Sequence, residues 1–559
     1  VSGPLVEIDG MAGARLEDMV HIGHRRLVGE VISLRGEVAT AQAYEYTGGL
    51  GPGAVAALGD GPVTAHLGPG LLGGVFDGML RRLGDPAGPA ATLPADRRWT
   101  FRPRVAPGSV LAGGDVVGVV QESAAIEHRV LAPPVARGIV EWVSPEAAVT
   151  VADPVAVVGG QEIQLAQRWP LRRPRPSRSR IDGSAPLVTG QRALDLLFPI
   201  ARGSTAGVPG GFGTGKTVLL QEIAKWCDAD VIVYVSCGER GNELADVLEE
   251  MSRLEDPRTG NALLDRTVLV ANTSNMPLLA RELSVYAGAT IAEYYRDMGY
   301  DALVIADSTS RWAEALREIA SRSGELPAEE GYPASLAPRL ASFYERAGCV
   351  RTLAGGVGSV TILGAVSPPG GDMAEPVTAQ TGRFVRALWS LDRDLAYARH
   401  YPAVSWTASS SRDAALVARW HASEGDAAWG ERRARAIGLL TEADRVQVVA
   451  DLVGAASLPA EERVLLLGSR LLREAVMQQS ALSANDAWSA PAKQAALLGM
   501  VLDLHDRAAT LAGHGVPVER IETLDLSDAA RVRDRVGPAD ATGVAAARDR
   551  LLSRLDALG

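Results

Sequence analysis

A chain of 559 residues, 47% hydrophobic and 22% charged, has the balance of a soluble globular protein with room for three or four domains. Its formal charge of −11 argues against nucleic acid as the main ligand, because duplex affinity rests on basic contacts to phosphate. Three cysteines (Cys227, Cys237, Cys349) are too few and too scattered for a disulfide framework or a metal cluster, and a reducing, cytoplasmic setting fits them.

No apolar run approaches the roughly 20 residues that span a bilayer. The opening VSGPLVEIDG lacks the basic-then-apolar order of a secretory signal, so membrane contact is expected only through partners. From about 20 to 70, LVGEVISLRGEVATAQAYEYTGG alternates apolar and polar positions before a Gly-Gly break, which predicts short strands and a small β-barrel. From about 100 to 165, segments such as VLAGGDVVGVV and GIVEWV continue the β pattern as a second module. The stretch Arg168 to Arg180, RWPLRRPRPSRSR, holds six arginines and three prolines and reads as an extended linker, with an anion-binding patch as the alternative. Beyond it, strand-length apolar runs (VIVYV, TVLVA, ALVIAD, SVTILGAV) alternate with helical stretches, the pattern of a parallel sheet covered by helices. Past about 410 the β runs cease, and AEERVLLLGSRLLREAVMQQ and GVAAARDRLLSRLDAL carry helical spacing. The expected fold class is therefore multidomain α/β. A β-barrel is assigned to 1–70 and a connecting segment to 71–184, with a β-rich insert at about 100–180. A P-loop α/β core follows over 185–410, and a helical domain over 411–559.

Gly210-Gly211-Phe212-Gly213-Thr214-Gly215-Lys216-Thr217 is a full G-x-x-x-x-G-K-T loop. Glycines let successive backbone N–H groups close on phosphate oxygens, Lys216 reaches the β/γ-phosphates, and the Thr217 hydroxyl is placed for Mg²⁺. The following TVLLQEIAKW sets Leu219, Ile223 and Trp226 on one helical face, so the loop opens a helix whose N-terminus favours anions; Val218 lies in its first turn. Asp307 closes the apolar strand DALVIAD, where a carboxylate can hold Mg²⁺ or cap the helix expected from SRWAEALREIA. Hydrolysis further needs a group that activates water. Glu239 in CGERGNE follows the strand VIVYVS to the carboxyl end of the sheet, with Arg240 beside it to steady charge on the γ-phosphate; the alternative is a Glu239–Arg240 pair on a solvated loop.

The runs GGFGTGKTVLLQ, VSCGERGNE, ANTSNMP, EYYRDMGYDALVIADSTSRWAEALREI, GYPASLAPRLASFYERAG and GAVSPPGGD resemble the catalytic A (alpha) subunit of V-type and archaeal-type rotary ATPases. YEYTGGL, LGPGLLGGVFDGM, RWPLRRPRP, PLVTGQRALDLLFPIARG and REAVMQQSAL extend the resemblance over nearly the whole chain. It implies a RecA-like P-loop core, the family's bulge insert at about 100–180, and a ring of alternating A and B subunits around a central stalk, with peripheral stalks holding it at the cytoplasmic face of a membrane. It implies ATP or ADP with Mg²⁺, coupling to H⁺ or Na⁺ transport, and active sites completed by an arginine from the B subunit. Carried over by motif, Gly210–Val218 hold phosphates, Thr217 and Asp307 serve Mg²⁺, Glu239 activates water, Arg240 contacts phosphate and Arg311 lies near it. Thr214 stands where vacuolar members carry cysteine, so redox control through a P-loop thiol is not expected. For the adenine pocket the resemblance offers Tyr397, with Tyr401 as rival, and Leu482 where the family usually has an aromatic.

Three other functions are weighed, of which a flagellar or secretion-type export ATPase is disfavoured by the bulge insert and the long helical C-terminus. A hexameric RNA-dependent translocase would carry basic and aromatic strands on its barrel, whereas LRGEVATAQAYEYT has little positive charge. A non-catalytic nucleotide-binding member of the ring is disfavoured by the intact P-loop together with Glu239.

Overall fold

The computed structural model describes residues 3–83, 91–239, 241–256, 259–322 and 324–559. They fall into two compact units, one of Val1–Gly183, Ala229–Pro368 and Met373–Phe384, the other of Ser184–Asp228, Pro369–Asp372 and Val385–Gly559.

The first unit begins with a five-stranded antiparallel sheet in the order Leu5–Ile8, Val38–Ala43, Leu27–Arg35, Asp18–Ile22, Ala56–Pro62. Alternating residues turn Val6, Ile8, Val20, Ile22, Val31, Ala39 and Ala41 into one core, as a period of two requires. Residues 99–164 form two further four-stranded sheets. One runs Glu127–Leu131, Val116–Gln121, Trp99–Pro103, Ala147–Val149; the other runs Gln161–Gln164, Pro154–Val158, Arg137–Val143, Val110–Ala112. Buried polar groups tie this module to the helix Leu278–Asp297. His128 shares Nδ1 with Glu122 at 2.7 Å and Nε2 with the Tyr294 hydroxyl at 2.9 Å, while Tyr295 donates to Glu122 at 3.0 Å. Burial pushes the Glu122 carboxyl upward, but His128 and the backbone N–H groups of Gly70 and Leu72 more than offset this and hold it below its usual range.

The arginine-rich stretch is more than an extended linker, because parts of it form strands. Gln167–Pro170 pairs as a strand with Thr64–Leu67, and Ser179–Ile181 pairs with Gly348–Arg351. Between them Arg172 donates to Glu30 and to Glu282 (2.6 Å), and Arg175 donates to Asp297 (2.6 Å) and, through its backbone, to Glu293 (2.9 Å). Prolines keep the backbone extended, so its arginines reach the acidic face that Glu282, Glu293 and Asp297 make on the helix Leu278–Asp297. Arg346 pairs with Glu293 in the same buried cluster.

The nucleotide-domain strands of this unit are parallel: Val357–Val366 beside Asp301–Asp307, then Val231–Glu239, Thr267–Thr273 and Val75–Phe76. Their cores are continuous apolar runs, as expected of strands covered on both faces. In the second unit, Thr205–Pro209 pairs in parallel with Ala387–Leu388, which pairs antiparallel with Ser410–Ser411. After residue 411 the chain is helical, with Trp429–Val453, Ala460–Leu472, Pro491–Gly513 and Ala541–Asp556 as its longest members. Leu497, Val501, Leu504, Leu551 and Leu555 are buried where these helices pack.

Candidate functional site

In the second unit, the strand Thr205–Pro209 ends in the glycine-rich loop, and the helix Lys216–Trp226 begins where the loop closes. Gly215 caps that helix at φ 87°, a left-handed conformation that a side chain would strain. The buried Thr214 hydroxyl donates to the Gly211 carbonyl at 2.9 Å. Lys216 Nζ arches back to donate to the carbonyls of Gly210 (2.6 Å) and Gly211 (2.9 Å), which holds its charge over the loop. The first-turn N–H groups of a helix have no intrahelical acceptor, so loop and helix together present donors and positive charge to an anion. Leu219 and Ile223 are buried as the spacing predicts, and Trp226 stacks on Trp488 with centroids 5.6 Å apart. On the other side Thr217 and Val218 are exposed, and Phe212 at the loop's tip is 99% exposed.

The candidate base-binding residues belong to the same unit. Tyr401 lies against the loop: a Cβ on Gly215 would meet its ring at 3.8 Å. Tyr397 is 70% exposed, and the Arg393 guanidinium covers its ring and donates to its hydroxyl at 2.6 Å. Leu482 is fully exposed.

In the first unit, the parallel strands bring Glu239 and Asp307 to their carboxyl ends. Ser236 is registered with Asp307, so the strand Val231–Glu239 runs three residues beyond it, and Glu239 is that strand's last residue rather than a loop residue. Asp307 is buried and accepts a hydrogen bond from the Tyr234 hydroxyl at 2.9 Å. Burial, and then the Asp307 carboxylate, hold the Tyr234 hydroxyl protonated well above its ordinary range, so it acts as a fixed donor. Burial likewise pushes the Cys237 thiol up to about 12, which leaves it unreactive at neutral pH. Arg311, at the start of the helix Thr309–Arg322, donates to both Glu314 oxygens at 3.1 Å. Arg240 lies outside the described residues.

Sequence reasoning missed Arg281. This buried residue donates to the Arg311 carbonyl at 3.1 Å, and its Nε sits 2.6 Å from where a Cβ on Gly238 would stand. Gly238 (φ 98°) therefore allows a guanidinium to underpin the irregularity between Cys237 and Glu239 at the end of the strand. The only sequence signal was an arginine beside a glutamate in a largely apolar helical run, ARELSVYAG.

Among the described residues, no group of three or more His, Cys, Asp or Glu is gathered as a metal cage. The Thr217 hydroxyl of the second unit and the Asp307 carboxylate of the first are each of a type that Mg²⁺ accepts, since it takes few protein ligands and completes its octahedron with phosphates and water.

The family models match the chain in order. The beta-barrel domain of the ATP synthase alpha/beta family covers residues 1–56, the barrel-sandwich domain of the same alpha/beta chains 90–172, and the nucleotide-binding domain 190–411. The C-terminal domain of V and A type ATP synthase covers 418–517. The V-type ATP synthase alpha chain of Anaeromyxobacter dehalogenans is 50% identical over 99% of this chain and 97% of its own. The chain belongs to the V/A-type ATP synthase alpha-chain family. The V-type ATP synthase alpha chain of Nitrosococcus oceani is 49% identical over 95% of this chain and 93% of its own. The assembled ATPase EscN of the enteropathogenic E. coli type III secretion system shares the fold, with a TM-score of 0.67 at 23% identity over 90% of this chain and 98% of its own. Membership of the V/A-type family carries nucleotide binding and a place in a multisubunit complex, and it agrees with the multidomain α/β class read from the sequence. Among the described residues, no helix is long and apolar enough to cross a membrane.

Proposed function

We propose that the chain is the catalytic member of a V/A-type rotary ATP synthase, hydrolysing or synthesising ATP in step with H⁺ or Na⁺ transport. The observation that carries the reading is a complete P-loop in a chain that also ends two parallel strands in carboxylates, Glu239 and Asp307. Backbone N–H groups of Gly210–Val218 and the Lys216 ammonium bind the phosphates. Thr217 and Asp307 would hold Mg²⁺, which when bound neutralises charge on the phosphates. Glu239 accepts a proton from the attacking water and orients it, Arg240 contacts the γ-phosphate, and Arg311 adds positive charge nearby. Tyr401 is the aromatic for adenine, ahead of Tyr397, because its ring lies against the loop, and Leu482 supplies an apolar contact.

The remaining transition-state charge requires a second arginine, supplied in trans by the B subunit of an alternating ring. A central stalk and peripheral stalks complete the complex. The chain thus sits at the cytoplasmic face of the membrane without entering it. In the reconstituted ring, Glu239→Gln is expected to keep nucleotide affinity while lowering turnover by about 10²–10⁴-fold. Hydrolysis at the wild-type rate would refute the role of Glu239.

A further inference from the structure

Arg192 is fully buried in the second unit, in the run Gly190-Gln191-Arg192 that precedes the P-loop strand. Every arm of its guanidinium is committed to one distant segment. Nε donates to the Val476 carbonyl at 2.9 Å, Nη1 to Asp486 at 2.6 Å, and Nη2 to the Gln478 carbonyl. Its backbone N–H donates to the Gln479 side chain at 2.9 Å. Gln479 then reaches both ways: its amide donates to the Gly190 carbonyl at 2.8 Å, and its backbone N–H donates to the Tyr401 carbonyl at 2.8 Å. The second Asp486 oxygen accepts from the Ser480 N–H at 2.8 Å, and Arg533 donates to the Gln478 carbonyl at 2.6 Å.

A buried arginine–aspartate pair is a poor stabiliser, because the desolvation of both ions offsets most of their attraction. A pair of apolar side chains of similar volume would serve a core as well. What the guanidinium adds is geometry: three carbonyl and carboxylate acceptors at fixed angles on residues 476–486. That segment leads to the exposed Leu482 and is tied to Tyr401, whose ring lies beside Gly215 of the P-loop.

We propose that Arg192 is the positioning residue for the base end of the nucleotide site, setting residues 478–482 and Tyr401 so that adenine, and not phosphate, is recognised by them. The inference rests on the nucleotide-binding reading given above. Its test is the affinity of the reconstituted complex for MgATP and, separately, for magnesium tripolyphosphate, which lacks the nucleoside. Arg192→Met is expected to weaken MgATP binding about tenfold, the worth of one well-made polar contact, and to leave tripolyphosphate affinity within about twofold. Arg192→Lys, which keeps the charge but not the fork, should fall between. Should Arg192→Met fail to fold, Gln479→Leu, which cuts the links to Gly190 and Arg192 but leaves the guanidinium paired, should show the same selective loss. Equal losses for both ligands would mean a purely structural role, and unchanged MgATP affinity would mean none; either overturns the proposal. Wild-type complex that binds neither ligand would instead overturn the nucleotide reading itself.

Discussion

The glycine-rich loop and the strand ends at Glu239 and Asp307 are organised by different means. The loop is built from eight consecutive residues, and its closing bonds, Lys216 to Gly210 and Gly211 and Thr214 to Gly211, span at most six positions. The strand ends are assembled from afar. Tyr234 reaches Asp307 across 73 positions, and Arg281 reaches the Arg311 carbonyl across 30. A local device tolerates change in its surroundings and fails when its own residues change. A long-range one fails through residues that never touch substrate.

That contrast can be broken by substitution. The largest effect is expected on the local side: Lys216→Ala removes charge-assisted bonds worth about 1.5–3 kcal/mol, so MgATP affinity measured by titration should drop about 10- to 100-fold. Unchanged affinity would remove the loop from phosphate binding. Next is Gly238→Ala, which meets Arg281 at 2.6 Å and strains a φ of 98°. Displacing the strand end at Glu239 should lower kcat about tenfold or more and leave MgATP affinity nearly intact. A loss confined to affinity would mean that the two sets of residues are not separable. Tyr234→Phe should act more gently, by stripping one donor from the buried Asp307 at a cost of about 1–3 kcal/mol. A lowered Tm with a raised Mg²⁺ requirement is the expected signature, and a change in neither would detach Tyr234 from Asp307.

The smallest expected effect concerns Asp195. Burial raises its carboxyl to about 6 despite hydrogen bonds from Thr189, Gln494 and Gly190. With the folded value above the ordinary one of 3.8, the folded state holds the extra proton between them. Stability contributed by protonated Asp195 is present at low pH and is lost as pH rises from about 4 to about 6. Asp195→Asn should remove that dependence, so the wild type should lose Tm relative to the variant across this window. Parallel curves would contradict it.

The same contrast explains what the sequence reveals. The glycine-rich loop and its helix are legible because Gly210–Thr217 are contiguous and the helix after them buries Leu219 and Ile223 on the predicted face. The multidomain α/β class is legible because strand-length apolar runs give way to helical spacing after about 410. Glu239 and Asp307 are legible as carboxylates at the ends of apolar runs. Their supports are not. Tyr234 lies mid-strand as one more apolar-looking residue, and Arg281 carries no mark of its neighbours. The arginines of 168–180 look solvated because their partners, Glu30, Glu282, Glu293 and Asp297, lie more than 100 residues away. Arg192 sits within a run that carries the family resemblance, but its acceptors lie nearly 300 positions on, where no local pattern points to them.

The most direct test of the central claim is the rate of ATP hydrolysis by this chain alone and after mixing with its ring partner and central stalk. A catalytic chain that lacks its final arginine should be slow alone and gain about 10³-fold or more on assembly, the usual worth of an arginine supplied in trans. Full activity in the isolated chain, or none after assembly, would contradict the account.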